Sequence, residues 1–165
     1  MLAGILLSAF ATLAAACGDN GDELTLEEYF TQLDTAMDDL AQRVSDNASE
    51  EPNIFAPLEE QREIIISFWT DFSEQVGGVF IDDMEALDPP QEAQDAHDDL
   101  LQAAQEFVEN VAEAVTNFES ATSEADYEEA FELLERGGNP SVACEKLQVI
   151  ADENEIEVML NCELE

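Results

Sequence analysis

Residues 93–118, AQDAHDDLLQAAQEFVENVAEAVTNF, decide the fold class of this protein. One seam of side chains recurs there at alternating steps of four and three residues: Ala93, His97, Leu100, Ala104, Phe107, Val111, Ala114 and Phe118. Leu101, Val108 and Val115 widen this mostly apolar stripe. An α-helix turns once in about 3.6 residues, so these positions share one face. The stretch therefore predicts a long amphipathic helix with a buried apolar side.

The preceding residues predict a second long helix, from near Pro57 toward Leu87. Its apolar seam comprises Leu58, Ile65, Trp69, Phe72, Val76, Phe80 and Leu87. Gly77-Gly78 interrupts the seam, and each glycine costs about 1 kcal/mol relative to alanine inside a helix. We expect a kink or a junction of two helices there, with close approach of a ligand or another backbone as the alternative. Asp88-Pro89-Pro90 is a tight stop between helices of similar length, which predicts an antiparallel hairpin.

Segments on either side of this hairpin also predict helices. Upstream, Thr25-Leu26-Glu27-Glu28 fits a capping box. A regular seam follows it at Leu26, Phe30, Leu33, Met37, Leu40 and Val44. Downstream, Ser123-Glu124-Ala125-Asp126 caps a shorter helix, and Gly137-Gly138-Asn139-Pro140 ends it. Its predicted inward side chains are Tyr127, Phe131 and Leu134.

The C-terminal region predicts a last short helix and a tail. Ser141 would cap that helix, which ends near Ala151, and apolar and polar residues alternate across 156–164. Alternation is typical of an extended backbone, and a lone strand must lie against other elements to satisfy its hydrogen bonds. The predicted fold is therefore mainly α: a bundle of four to five helices in a single acidic domain, residues 24–165, with an extended tail.

The N-terminal residues predict export and a lipid anchor. Residues 1–16, MLAGILLSAFATLAAA, carry no charged side chain and are shorter than the roughly 20 residues that span a membrane. A short apolar core ending in small residues is typical of a signal peptide. The junction Leu13-Ala14-Ala15-Ala16-Cys17 resembles a lipobox, the processing site of prokaryotic membrane lipoproteins. The resemblance covers residues 1–17 and implies a signal peptide at 1–16, lipid on Cys17 and a polar tether at 17–23.

The implied lipid would hold the protein at the extracytoplasmic face of the cell membrane, because two or more acyl chains anchor stably. Two alternatives remain open for this segment. Ala14-Ala15-Ala16 also fits ordinary cleavage, which would release a secreted protein, and the segment could stay uncleaved as an anchor. The rest of the chain is similar in composition to small helical envelope lipoproteins, a likeness that carries over no functional residue.

The three cysteines are an odd number, which leaves one to explain in an exported protein. If Cys17 carries lipid, Cys144 and Cys162 remain as a pair that an oxidising compartment can link. Such a disulfide would stabilise the fold by roughly 3 kcal/mol in the chain-entropy model. Two thiols too far apart to bridge are the alternative. We predict a disulfide that staples the tail to the last helix.

The charge balance is extreme, with 41 acidic residues against 4 basic ones and a formal net charge of −37. Such a surface repels nucleic-acid phosphates and anionic lipid headgroups, so we expect no nucleic-acid partner and no electrostatic attachment to membranes. The acid excess resembles the composition of proteins from salt-loving organisms, in which concentrated salt screens the repulsion. We favour this interpretation over a surface that binds cations or a partner in ordinary salt.

No catalytic constellation stands out. His97 is the only histidine. We expect it at one end of the bundle, hydrogen-bonded or half-exposed, with a lone metal ligand or pH sensor as the sharper alternative. Carboxylate doublets at Glu59-Glu60, Asp82-Asp83, Asp98-Asp99 and Glu128-Glu129 do not match EF-hand spacing. The sequence contains no nucleophile elbow and no glycine-rich phosphate loop. We therefore predict no enzyme activity, no catalytic residue, no metal site and no cofactor.

The sequence thus predicts a membrane-anchored binding or structural module of the cell envelope, with an envelope protein as its partner, and leaves its specific role open. A protein that binds weak divalent cations or a small ligand is the alternative. A helical groove with exposed apolar residues would favour the first function, and convergent carboxylates would favour cation binding. A buried polar pocket around His97 would favour an enzyme.

Overall fold

The computed structural model describes residues 24–48, 57–136 and 140–162. Several predicted features lie outside these ranges. They are the signal peptide, Cys17 and the tether, all within residues 1–23, together with Gly137-Gly138-Asn139 and the last residues of the tail.

The described residues are mainly helical and contain no strand, which confirms the predicted helical bundle. The α-helices are α1 (Leu26–Ala48), α2 (Leu58–Asp71), α3 (Val79–Glu85), α4 (Gln94–Ser120), α5 (Glu124–Glu135) and α6 (Pro140–Glu153). A π-helical segment, Phe72–Gly78, joins α2 to α3 without a break, so residues 58–85 form one continuous helix. None of the helices described is long and apolar enough to cross a membrane.

The long helix over residues 58–85 and α4 form the predicted antiparallel hairpin. Three contacts along its length fix the direction of the two helices. Ile65 of α2 packs in the same cluster as Phe118 near the end of α4. Gly77 lies against Val108 in the middle of α4. Glu85 at the end of α3 accepts a hydrogen bond from the side-chain amide of Gln105 at 3.2 Å.

The Gly77-Gly78 pair produces neither a chain break nor a junction of separate helices. The backbone keeps right-handed helical dihedral angles through it, with φ −61° and ψ −44° at Gly78, but its hydrogen bonding is π-helical from Phe72 to Gly78. A Cβ at Gly77 would collide with Cγ2 of Val108. Gly77 is therefore required because α4 approaches closely, and the approaching group is a side chain rather than the ligand or backbone of the alternative prediction.

The predicted capping box is present at α1, and the predicted cap of α5 is a capping box as well. At α1, the Thr25 amide donates to the Glu28 carboxylate at 3.1 Å and the Glu28 amide donates to the Thr25 hydroxyl at 3.2 Å. Ser123 and Asp126 make the same reciprocal pair at α5. These bonds satisfy amides that have no partner inside the helix. The expected cap at Ser141 is wrong, because α6 already begins at Pro140.

In the described part of the chain, the buried side chains form two clusters that share α4. The large core draws on α1, the π-helical segment, α3, the first half of α4, α6 and the tail. The small core draws on α2, the second half of α4 and α5, with Ala121 from the turn between α4 and α5.

The predicted inward face of α5 is partly wrong: Tyr127 is buried, but Phe131 is 43% exposed and Leu133 is buried instead. Phe131 lies on the rim of the small core, where it packs edge-on against Phe118.

The predicted disulfide is confirmed, since Cys144 on α6 is bonded to Cys162 in the tail with their Cα atoms 5.4 Å apart.

Residues 156–162 are irregular rather than a strand. Two three-residue turns bend them, one closed by a hydrogen bond from Val158 N–H to Ile156 O and the other by one from Cys162 N–H to Leu160 O. The Gln148 side chain supplies the tail with hydrogen bonds of the kind that a neighbouring strand would supply. Its amide donates to Val158 O at 3.1 Å and accepts from Leu160 N–H at 2.7 Å. With Leu160 buried, the tail closes one side of the large core.

Candidate functional site

His97 lies in the first turn of α4, where it is buried and hydrogen-bonded, which is one of the two expected arrangements. It is 3% exposed, and its Nδ1 lies 3.1 Å from the hydroxyl oxygen of Tyr29 on α1. Burial lowers the pKa of His97, although the neighbouring Asp98 opposes the shift. Burial, and secondarily Asp98, raises the pKa of Tyr29 above its ordinary range. Both groups are therefore neutral at neutral pH, and each satisfies the other's hydrogen bonding across two helices.

The carboxylate doublets do not converge in the part of the chain that the structure describes. Within it, no group of three or more histidine, cysteine, aspartate or glutamate side chains is arranged to hold a metal ion. Asp99, from the doublet at the start of α4, instead accepts a hydrogen bond from Lys146 of α6 at 2.6 Å. The side chains of Glu59-Glu60 lie outside the description. The acidic residues described here thus form a solvated surface.

A cavity of about 550 Å³ opens along the side of the large core that faces α5. Apolar side chains from nearly every helix line it. They come from α1 (Met37, Leu40, Val44), the continuous helix (Phe72, Val76, Gly77, Phe80), α4 (Leu100, Ala104, Phe107, Val108), α5 (Leu134), α6 (Pro140, Ser141, Cys144) and the tail (Cys162). Pockets of roughly 300–1,000 Å³ with mainly apolar walls are typical of sites for small ligands.

Local sequence features explain why the helices leave this space. Gly77 lets α4 press against the π-helical segment at Val108, which fixes one wall. Ala104 contributes only a methyl group one turn earlier on α4, where a larger side chain would fill the cavity. The disulfide between Cys144 and Cys162 also lines the cavity. The cavity therefore depends on a close contact, a small side chain and a covalent bond.

Among the described residues, the lining carries no ionisable side chain, because its cysteines are disulfide-bonded and Ser141 supplies the one hydroxyl group found there. The basic residues two positions from the lining both pair with carboxylates. Arg136 Nη2 lies 2.9 Å from Glu132 Oε2, and Lys146 Nζ lies 2.6 Å from Asp99 Oδ2. The described lining residues themselves offer no counter-charge to an anion, and the net charge of −37 opposes the entry of an anion.

A chain of aromatic contacts connects the cavity to the only tryptophan. Phe72 and Phe107, both in the lining, have ring centroids 6.0 Å apart in an edge-to-face arrangement. Phe72 in turn lies 5.6 Å from Trp69, which also contacts Phe68 at 5.2 Å. Because the protein has a single tryptophan, its fluorescence reports on this wall.

The sequence-predicted site residues have different outcomes. Cys144 and Cys162 are joined and both line the cavity, whereas Cys17 lies outside the described residues. The cavity itself was not predicted. The interruption of a regular apolar seam by Gly77-Gly78 was the available signal, because paired glycines in a helix often mark close approach.

Comparisons with known proteins identify no relative of this chain. No protein-family model matches the chain, and neither the curated proteins nor the solved structures contain a match.

Proposed function

We propose that the protein is a lipid-anchored binding module of the cell envelope that holds a small apolar ligand in the cavity between its helices. The observation that carries the proposal is the cavity of about 550 Å³ with its apolar lining. It favours the small-ligand alternative over a purely structural role, since a stable domain normally fills such a space with side chains.

The energetics support ligand binding. Each Å² of apolar surface removed from water contributes roughly 25 cal/mol, so an apolar molecule gains stability by entering a preformed apolar site. The cavity walls are already ordered by the disulfide and by core side chains such as Leu40 and Phe80. Little conformational entropy is then lost on binding, which favours affinity.

The proposed place of the protein rests on the lipobox-like junction at Cys17. Acyl chains there would hold the acidic body at the extracytoplasmic face of the membrane, although the headgroups repel it. A soluble secreted form is the alternative.

Binding is tested with an uncharged environment-sensitive fluorophore, N-phenyl-1-naphthylamine, titrated against the protein with residues 17–165. We expect saturable enhancement of probe fluorescence together with a change in Trp69 emission. Ala104→Phe should fill the cavity and weaken binding at least about tenfold, as each 1.4 kcal/mol lost is a factor of ten. Val44→Phe adds a ring to the lining from α1 and keeps the test valid if Ala104→Phe disturbs α4.

Ala112→Phe is the matched control, because Ala112 is exposed on the same helix as Ala104. Circular dichroism establishes that each variant is folded. Equal binding by wild type and both filled variants would show that the probe binds elsewhere and would refute the cavity as the site.

The anchor is tested by Cys17→Ser in cells. We expect wild type in the membrane fraction and the variant in the soluble extracytoplasmic fraction or the medium, because two or more acyl chains supply the attachment. Wild-type protein that is soluble, with a mass beginning at an unmodified Cys17, would contradict the anchor and leave the cavity proposal intact.

A further inference from the structure

We infer that the ligand of the cavity is a lipophilic cation, an apolar molecule bearing one quaternary ammonium group. This inference rests on the proposed function and names its ligand class. Two independent features carry it: the aromatic side chains in the lining and the distribution of charge around the cavity.

Three phenylalanines, Phe72, Phe80 and Phe107, line the cavity together with the thioether of Met37. The face of an aromatic ring carries negative partial charge, and it attracts a cation within about 6 Å. This attraction grows as water is removed from around the cation. Quaternary ammonium groups are the ligands that aromatic sites recognise best.

The lining offers few hydrogen-bond acceptors, which disfavours cations that carry N–H donors. A primary ammonium or a guanidinium brings several N–H donors, and each donor left without an acceptor on burial costs free energy. Apart from Ser141, the lining side chains that the structure describes supply no oxygen. A quaternary ammonium has no N–H donor, so it enters such a lining without leaving one unsatisfied.

The surrounding charge opposes anions and favours cations. Exposed carboxylates directly adjoin lining residues in the sequence, with Asp39 next to Leu40 and with Glu106 and Glu109 flanking Phe107 and Val108. Arg43, next to Val44, is one exposed base on the same side. The field of a body with 41 acidic and 4 basic residues raises the local concentration of cations at the mouth.

The experiment compares three probes that share a decyl chain: decyltrimethylammonium, the uncharged decyldimethylphosphine oxide and decyl sulfate. Each competes with N-phenyl-1-naphthylamine for the wild-type protein below its critical micelle concentration. The competition is run in 0.05 M and in 1 M sodium chloride. At 1 M the Debye length is about 3 Å, so the field of the distant surface charges is removed and contacts inside the cavity persist.

We expect the cation to bind about tenfold more tightly than the uncharged probe in 1 M sodium chloride, with the sulfate weakest at both salt concentrations. Phe107→Leu removes a ring but keeps an apolar side chain. It should cut the preference for the cation, which is the ratio of the two dissociation constants, to about twofold or less, whatever its effect on the uncharged probe. Phe131→Leu, the same substitution at a site outside the lining, should leave the preference unchanged.

The outcomes separate the two levels of the proposal. A preference for the cation that vanishes in 1 M salt, or that survives Phe107→Leu, would overturn the ligand class and leave the cavity as a binding site. Tighter binding of the uncharged probe or the sulfate would do the same. Failure of all three probes and of the fluorophore to bind would overturn the proposed function itself.

Discussion

The large and small cores are built from the same kinds of helix, yet they differ in how they are closed. The large core is sealed by α6, the disulfide and the tail, and it holds Tyr29, Phe30, Leu33 and Met84 with almost no exposure. The small core rests on three helical elements, and Phe131 and Ile64, on its helices, remain 43% and 44% exposed. Amphipathic helices alone therefore bury only a few side chains in the small core. The large core differs because a disulfide holds its last helix and the tail together.

This difference has a functional meaning for the cavity, which lies on the well-closed side. Its lining includes fully or nearly fully buried residues of the large core, such as Val76 and Leu100. A binding site whose walls are held by a rigid core loses little entropy when it is occupied. The small core contributes Leu134 to the lining. We expect the small core to open more readily than the large one.

The largest expected effect comes from the same truncation made in each core. Phe30→Ala and Phe118→Ala both remove a ring that is 0% exposed. We expect Phe30→Ala to lower the free energy of unfolding by about 3–5 kcal/mol, because a cavity remains where the surrounding core cannot collapse. Phe118→Ala should cost about 1–2 kcal/mol less, since the partly exposed Phe131 can move into the space. Urea denaturation in 1 M sodium chloride measures both.

Hydrogen exchange on the two variants sharpens the comparison. Phe118→Ala should accelerate exchange in α2 and α5 while α1 and α6 stay protected, and Phe30→Ala should raise exchange throughout. Equal losses with identical exchange patterns would show that the two cores unfold as one unit.

Removal of the disulfide should have the next largest effect and should act on the large core alone. We expect Cys144→Ser with Cys162→Ser to lower the free energy of unfolding by roughly 3 kcal/mol, because the unfolded chain regains loop entropy. Amide exchange should increase at residues 156–162, which Gln148 would then hold without a covalent bond. Thermal unfolding and exchange provide the measurements. Full alkylation of both thiols in the native, unreduced protein would contradict the disulfide.

The contact between Gly77 and α4 predicts a smaller, position-specific effect. Gly77→Ala should destabilise by about 1–3 kcal/mol, because its Cβ collides with Val108 and α4 must shift. Gly78→Ala is the matched control, since its Cβ would lie 3.4 Å from the Ser73 carbonyl oxygen, an ordinary contact. Alanine has the better helix propensity, so the control should be neutral or stabilising by up to about 1 kcal/mol. Equal stability changes would mean that Val108 accommodates the methyl group.

The smallest effect is expected at the end of α6, where Glu155 has a positive φ of 57°. Ile156 N–H donates to Ala151 O and Glu155 N–H donates to Asp152 O, which together form a Schellman motif. Glu155 occupies the left-handed position of this motif, where glycine is the usual residue. Glu155→Gly should stabilise the protein by about 1 kcal/mol through relief of the left-handed conformation. Glu155→Gln separates this effect from loss of charge. Thermal unfolding that gives the same gain for both variants would assign the effect to charge.

Much of the fold was readable from local chemistry. The apolar seams predicted the helices, and the reciprocal pairs Thr25/Glu28 and Ser123/Asp126 predicted where two of them begin. The odd number of cysteines, with Cys17 assigned to the lipid, predicted the bond between Cys144 and Cys162. These features depend on residues close in sequence or on a count, so the linear chain contains the required information.

Tertiary structure alone decided how those elements meet. Tyr29 and His97 are 68 positions apart, and their hydrogen bond exists because α1 and α4 bring them together. Periodicity shows which face of a helix is apolar but not which apolar faces meet, how closely they approach or what space they leave. For that reason the π-helical segment, the division into two cores and the cavity appear only after packing. Gln148, which holds the tail in place of a strand, acts through contacts that no local pattern specifies.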